Sequence, residues 1–428
     1  MNSNAVKTSM VNIGISNAAD ADISARPNFD FSNTKIPAVT SFLMLGGGSL
    51  IAFVVLAVLQ SPALVMNDSV RMIMQQSTYW TLAFVLVLSY PHFVMSYKFA
   101  YTQGFRFIWQ NAWALILFPA MMLGLLALSA TTWNSPLEKS WLPLLSENLG
   151  KVGVPVDLNL EHYSYTGQAV FSVLLILQAV MSGYHFCMQS FGITLLCAEK
   201  QGYRFSKLHK SLLRANVYAL WFVNLTSGLT AFTAFNTQSF AYYPYHVPPV
   251  LFTVSCALFF LSAVSLAMYT YVFASSKSRL PLNATLVILA LWVWLQPFCQ
   301  PFGYQAWVVP MAHGVQYMYV AIHVESNNLH HAHRDKSSSD STFFSRFLSH
   351  ARNRHLLLFA FALLAVFVGY WLFVGVPVSL DHSMLFRGAC PNFFFLSAFI
   401  FLTTHHYMVD TILWKKGSKL RDAFPKAI

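Results

Sequence analysis

Charged side chains are scarce in this chain: of 428 residues, 10% are Asp, Glu, Lys or Arg, while 56% are hydrophobic. A soluble domain carries about a quarter charged residues, so this composition excludes an ordinary soluble enzyme and points to a polytopic membrane protein. Cysteine is scarce too. Cys187, Cys197, Cys256, Cys299 and Cys390 include no CxxC pair, which argues against a disulfide framework, a zinc ribbon or a dithiol redox centre. Cys187, Cys197 and Cys256 fall inside apolar runs and read as small core residues. Away from the ends of those runs acidic and basic residues are almost absent, Asp410 being the exception. No lysine sits in the middle of a run, which argues against a retinal Schiff base. The formal charge of +11 needs no nucleic acid, because the basic residues cluster in short loops.

Long apolar runs are what the sequence has instead. About ten have spanning length, roughly 20 residues each. They lie near 37–60, 79–101, 107–130, 167–197, 213–235, 248–273, 281–299, 302–324, 353–377 and 391–414. The loops after the second, fourth, sixth, eighth and tenth runs are basic, as with Lys200, Arg204, Lys207 and Lys210 after the fourth. Opposite loops are neutral or acidic. Positive charge stays with the cytoplasm, so the pattern predicts an all-α, polytopic transmembrane helix bundle of about ten spans with both termini cytoplasmic. Three parts follow: a disordered polar tail over 1–36, a membrane domain over 37–414 with a His-rich cytoplasmic loop at 325–352, and a basic tail over 415–428. The predicted location is a bacterial inner membrane or its equivalent, among membrane lipids. Gly46-Gly47-Gly48 interrupts the first run, allowing either close helix packing or a local break.

Histidine is abundant, at 15 residues, and unevenly placed. Apart from His355 at the entry to the ninth run, those inside apolar runs fall on even-numbered runs, which all travel towards the cytoplasm: His92, His185, His313 with His323, and His405 with His406. Intramembrane ionisable residues are functional by default. Neutral imidazole is the commonest metal ligand, and several at one depth can chelate iron, copper or zinc, or flank a haem. Asp410 lies one turn past His406 on the same helical face, suited to ligate or to orient an imidazole. Tyr407 lies between them in sequence and joins Asp410 as a candidate catalytic group. His330, His331 and His333 follow the eighth run and read either as ligands capping a site from the cytoplasm or as a solvated polar loop. His162, His209, His246 and His382 read as surface residues.

The His330-His331-x-His333 stretch and the His405-His406 pair resemble the integral-membrane, histidine-rich non-haem iron oxygenases, which include lipid desaturases, hydroxylases and carotene-cleaving enzymes. The usual HxxxH and HxxHH boxes are absent, so no residue role transfers by motif. The resemblance implies a membrane-bound, iron-dependent oxidoreductase acting on a lipid or other apolar small molecule and drawing on a redox partner. A proton- or metal-coupled transporter and a haem-binding electron carrier use the same histidines in different ways and stand beside it.

Overall fold

A computed structural model describes residues 38–61, most of 84–137, 142–151, 165–231, 247–274, 280–336, 351–383 and 392–415. The proposed tail at 1–36, nearly all of the tail at 415–428 and the 337–350 part of the His-rich loop lie outside the described residues. All ten apolar runs carry helix in their described parts. The helices are α1 (Ala38–Leu59), α2 (Tyr90–Tyr101), α3 (Phe105–Gln110), α4 (Trp113–Thr131), α5 (Leu142–Lys151), α6 (Thr166–Lys200) and α7 (Lys207–Ala231). They continue with α8 (Pro249–Ala274), α9 (Leu282–Leu295), α10 (Val309–Lys336), α11 (Ala351–Tyr370), α12 (Val376–His382) and α13 (Phe393–Leu413). Extended pairing between elements is limited, among the described residues, to Phe235–Asn236 with Ala241–Tyr242. Among the described residues, five helical stretches are long and apolar enough to cross a membrane: Ala38–Leu59, Trp113–Thr131, Thr166–Lys200, Pro249–Val272 and Phe359–His382.

Proline shapes several of these helices. A π-helical turn occupies Trp113–Leu117, Tyr304–Val308 and Trp371–Gly375. Each ends two residues before a proline, Pro119, Pro310 or Pro377. A proline ring clashes with the carbonyl four residues earlier, and here that carbonyl belongs to the middle of the turn. Widening the turn relieves the clash without ending the helix.

The break in α1 has another cause. Gly46 has φ +143°, a conformation that side chains disfavour. A Cβ placed there would lie 2.6 Å from the Ala290 Cβ of α9. The glycine triplet therefore serves both ends, allowing close packing and a local break. The carbonyls freed by the break are satisfied: Ser49 Oγ donates to Gly46 (2.7 Å), Gln316 Nε2 to Leu45 (2.8 Å) and Tyr304 Oη to Ser49 (3.1 Å). That satisfaction is what makes a kink tolerable in an apolar setting.

Two sequence expectations need correction. The stretch from 325 is not a loop, since α10 continues as helix through Lys336. No glycine or proline follows Gly314 to stop it. Near this end Lys98 Nζ pairs with Glu325 at 2.7 Å, tying α2 to α10. His209 is not a surface residue either. It is buried in the first turn of α7, bonded to Tyr203 Oη (3.2 Å) and Thr270 Oγ1 (3.0 Å), and so joins the 200–207 connection to α8.

Four helices meet around one line. α13 packs on α2, α4 and α6, and α10 packs on α2 and α6. An aromatic-rich apolar layer (Phe118, Met122, Phe171, Leu174, Phe393, Ile400) joins α4, α6 and α13. A second layer, farther along the site helices, combines Met95, Ile193, Leu196, Val320, Val409 and Leu413. On α6 and α13 the intervening residues include His185 and His406.

Gly46→Ala should lower stability by about 1–3 kcal/mol, the usual cost of a side chain forced into such a conformation, read as a lower thermal midpoint in detergent. An unchanged midpoint would show that α1 straightens without loss. His209 offers a pH test, because burial holds its pKa below the ordinary value. A neutral buried imidazole contributes stability above its unfolded pKa, near 6.5, and loses it as the pH falls below that value. The native protein should therefore lose more stability below about pH 6.5 than a His209→Gln variant does.

Candidate metal centre

His92 stands at the start of α2, next to Pro91, which suits the first turn of a helix. Its Nδ1 donates to the carbonyl of Ser89, so Nε2 is the free acceptor and points away from that bond. His185 comes from the middle of α6 and His313 from the first turns of α10. His406 and Asp410 lie at i and i+4 on α13 and share a face. All five are at most 6% exposed.

The side chains converge. His185 Nε2 lies 3.1 Å from His313 Nε2 and 3.7 Å from Asp410 Oδ2. His406 Nε2 lies 3.6 Å from the same Oδ2. Donor atoms of His92, His313 and His406 fall within 4.8 Å of one another, as do those of His185, His406 and Asp410. The imidazoles form a ring of neighbours: centroid distances are 5.3 Å for His92–His313, 4.8 Å for His313–His185, 5.0 Å for His185–His406 and 4.8 Å for His406–His92. Metal–nitrogen bonds of about 2.0–2.1 Å place adjacent donors about 3.0–3.4 Å apart. The observed contacts sit at or just outside that spacing.

Hydrogen bonding leaves this cluster incomplete. His92 Nε2, His313 Nδ1, both nitrogens of His406 and Asp410 Oδ2 are buried with no hydrogen-bond partner. An orphaned buried polar atom costs about 1–3 kcal/mol, and most such atoms in proteins are paired. The surroundings, by contrast, are well tied. Ser96 Oγ bridges Asp410 Oδ1 (2.8 Å) and Tyr317 Oη (2.6 Å). Gln189 Nε2 donates to the His313 carbonyl at 3.0 Å. Tyr407 stacks on His185 at 4.3 Å between centroids, its hydroxyl 2.9 Å from Ser182 Oγ. The outer groups are fixed, and the unpaired atoms belong to residues of the two donor triads.

Not every candidate histidine joins. His405 is one residue from His406 and so lies about 100° round the helix. It faces Tyr97 and Phe401 and hydrogen-bonds the Ala114 backbone. His323, almost three turns beyond His313, bonds the Tyr319 carbonyl (2.8 Å) and Lys200 Nζ (2.9 Å). Neither enters the cluster. His330, His331 and His333 lie on helical backbone, but their side chains are outside the described residues.

Three contributors were not anticipated from sequence. Ser96, four residues after His92, shares its helical face, and that spacing was a usable signal. Ser182 bears the same relation to neighbouring Gln178, with no comparable pointer to Tyr407. Gly314 gave no signal beyond adjacency to His313. A Cβ there would lie 2.8 Å from the Leu88 carbonyl oxygen and 3.1 Å from His92 Nδ1, so its bare backbone lets α2 and α10 close up.

Beside the cluster lies a cavity of about 380 Å³, walled mainly by α6 and α13 with Tyr317 and Val320 from α10. Most of its lining is Met, Leu, Ile, Phe and Tyr. His185, Asp410 and Tyr407 bring the cluster to its wall.

Gly314→Ala should displace His92 and weaken binding of Co(II), read by its visible absorption, by about 10–100-fold, the range for a disturbed orienting partner. Gly124→Ala, where an added Cβ meets nothing within 4 Å, should bind as the native protein does. Equal affinity in both variants would remove Gly314 from the site. The chain matches no family model, no curated protein and no solved structure, so the reading of this centre rests on its own residues.

Proposed function

We propose that the chain is an integral-membrane, multi-pass, metal-dependent oxidoreductase with iron as its metal, acting on a lipid or another apolar molecule. About ten spans with both termini on the cytoplasmic side belong to this reading, on the strength of the loop charges. The observation that carries it is the convergence of five buried donors, most with unpaired atoms, at the wall of an apolar cavity. His92, His185, His313, His406 and Asp410 are the ligands. Imidazole and carboxylate without thiolate suit iron among the first-row metals.

Bound there, iron supplies oxygen activation, with electrons drawn from a redox partner. The chain's own residues do the rest. Ser89 fixes the His92 tautomer, and Ser96 holds Asp410 by one oxygen while leaving the other for the metal. The apolar layers on either side keep water out. Tyr407, stacked on His185, forms the floor between the centre and the cavity and orients whatever approaches.

The alternatives find less support. An electron carrier with haem between two histidines needs room for a porphyrin between the axial nitrogens, and His185 and His313 are in hydrogen-bond contact. A transporter draws on the broken α1, but the carbonyls at that break are already bonded to Ser49, Gln316 and Tyr304.

Elemental analysis of purified protein should find iron at a fixed ratio to protein. Alanine at His92, His185, His313, His406 or Asp410 should abolish it, whereas His323→Ala and His405→Ala should retain it. Native protein without bound metal, or retention in all five ligand variants, refutes the assignment.

A further inference from the structure

The cavity has a shape and a polarity that narrow what it holds. Met181, Tyr184, Met188, Gly192 and Leu195 follow one another at three- and four-residue spacing and so form a stripe on α6. All five are half-buried, which makes the space a groove along the helix rather than a sealed pocket. From Met181 to Leu196 it spans fifteen residues of α6, about 22 Å at 1.5 Å per residue. Gly192 lies within the groove, and a Cβ built on it meets nothing within 4 Å. Unlike Gly314, this glycine is not needed for helix packing; open space lies over it.

Tyr184, Tyr317 and Thr411 add hydroxyls to a largely apolar lining, and the stronger polar groups gather at two places. His185, Gln189, Tyr407 and Asp410 mark the metal-centre end, and Lys415 marks the other, where α6 ends in Lys200 and α13 gives way to Trp414. Lys415 is exposed, and no carboxylate pairs with it among the described residues. The sequence beyond it adds Lys416, Lys419 and Arg421. Volumes of about 300–1,000 Å³ are usual for small-molecule sites, and this one lies near the lower limit, fit for one chain rather than two.

We propose that the groove seats a single-chain lipid with an anionic head, the head at Lys415 and the chain running along α6 over Gly192 to His185 and Asp410. This rests on the metal-centre reading only in making that lipid the molecule oxidised; the seating itself needs no metal. Lys415 follows Asp410 by five residues on α13 and Leu196 follows His185 by eleven on α6, so the part of the chain that meets the centre lies about 8–16 Å from the head. The groove therefore selects by length as well as by charge. Lys415 fixes one end as a compact cation, and the stripe of Met, Leu and Tyr accepts any apolar chain.

The test uses the full chain in detergent and palmitic acid as the probe, with cetyl alcohol and phosphatidylglycerol for comparison, each titrated by calorimetry. Palmitic acid should bind one to one and more tightly than either comparison. Gly192→Trp should weaken it at least tenfold with the iron content unchanged, while Gly192→Ala binds as the native protein does. Lys415→Glu should weaken palmitic acid and leave cetyl alcohol unaffected. Native affinity in Gly192→Trp overturns the seat, and tighter binding of phosphatidylglycerol overturns the single chain. Loss of iron from Gly192→Trp means that the helix has shifted; the same tenfold loss in Gly192→Leu with iron retained then upholds the proposal, and its absence overturns it. Protein that binds palmitic acid but no metal refutes the metal centre and leaves the seat standing. Protein that binds metal but no palmitic acid does the reverse.

Discussion

The structure depends on how it resolves one electrostatic conflict. Four imidazoles and a carboxylate are held between apolar layers on the same helices, where unpaired polar atoms are costly. Charge pairing does not relieve them, because no lysine or arginine lies among them and Asp410 is the single acid. Hydrogen bonding relieves part of the set: Nδ1 of His92 on Ser89, Oδ1 of Asp410 on Ser96, and Nε2 of His185 against Nε2 of His313. His92 Nε2, His313 Nδ1, both nitrogens of His406 and Asp410 Oδ2 remain unpaired. A cation held by either donor triad answers several of them at once, which is why the metal reading explains more than any set of pairwise contacts.

Packing has to serve that arrangement. Imidazole nitrogens reach only a few ångströms from the backbone, so four helices must close on the centre to bring the rings together. Gly314 lets α2 and α10 approach at the level of His92 and His313. Gly167 does the same for α6 and α4, since a Cβ there would lie 2.2 Å from the Ser129 carbonyl oxygen. Small residues at crossings are the ordinary means by which apolar helices pack closely when no water drives them together. In this chain they fall beside or between the layers that flank the donors.

The helices and the clustered histidines were largely legible in the sequence, for a physical reason. Apolar runs of spanning length have few alternatives to helix, and histidines on runs of one direction share a depth. That placed His92, His185, His313 and His406 at one level before any coordinates. Depth is not azimuth, however. His405 has the same depth as His406 and turns away, because one residue of helix rotates it to another face. His323 was counted by proximity to the run's end, where Lys200 and the Tyr319 carbonyl bind it instead. The supposed loop after 325 failed for a simpler reason: polar residues do not by themselves end a helix, and the strongest stop signals, glycine and proline, are absent from there to Lys336. Gly314 and Gly192 illustrate what sequence withholds. One glycine closes a crossing and the other leaves a gap, and only the neighbours tell them apart.

α6 shows how centre and groove are coupled. It is the longest described helix, 35 residues without a proline, and one face of it carries both His185 and the stripe through Met188, Gly192 and Leu195. A rigid helix cannot move one without the other. Ligand and lining positions three or four residues apart share a face, so the rotation that aims His185 at His313 also turns Met181 and Met188 to the groove. Gly167 seats the helix on α4 near its start, and Gly183 sets it against Trp221 of α7, two residues before the ligand. The axial register of α6 is therefore fixed by contacts outside both the centre and the groove. The distance between donor cluster and Lys415 is built into the scaffold rather than left to the occupant.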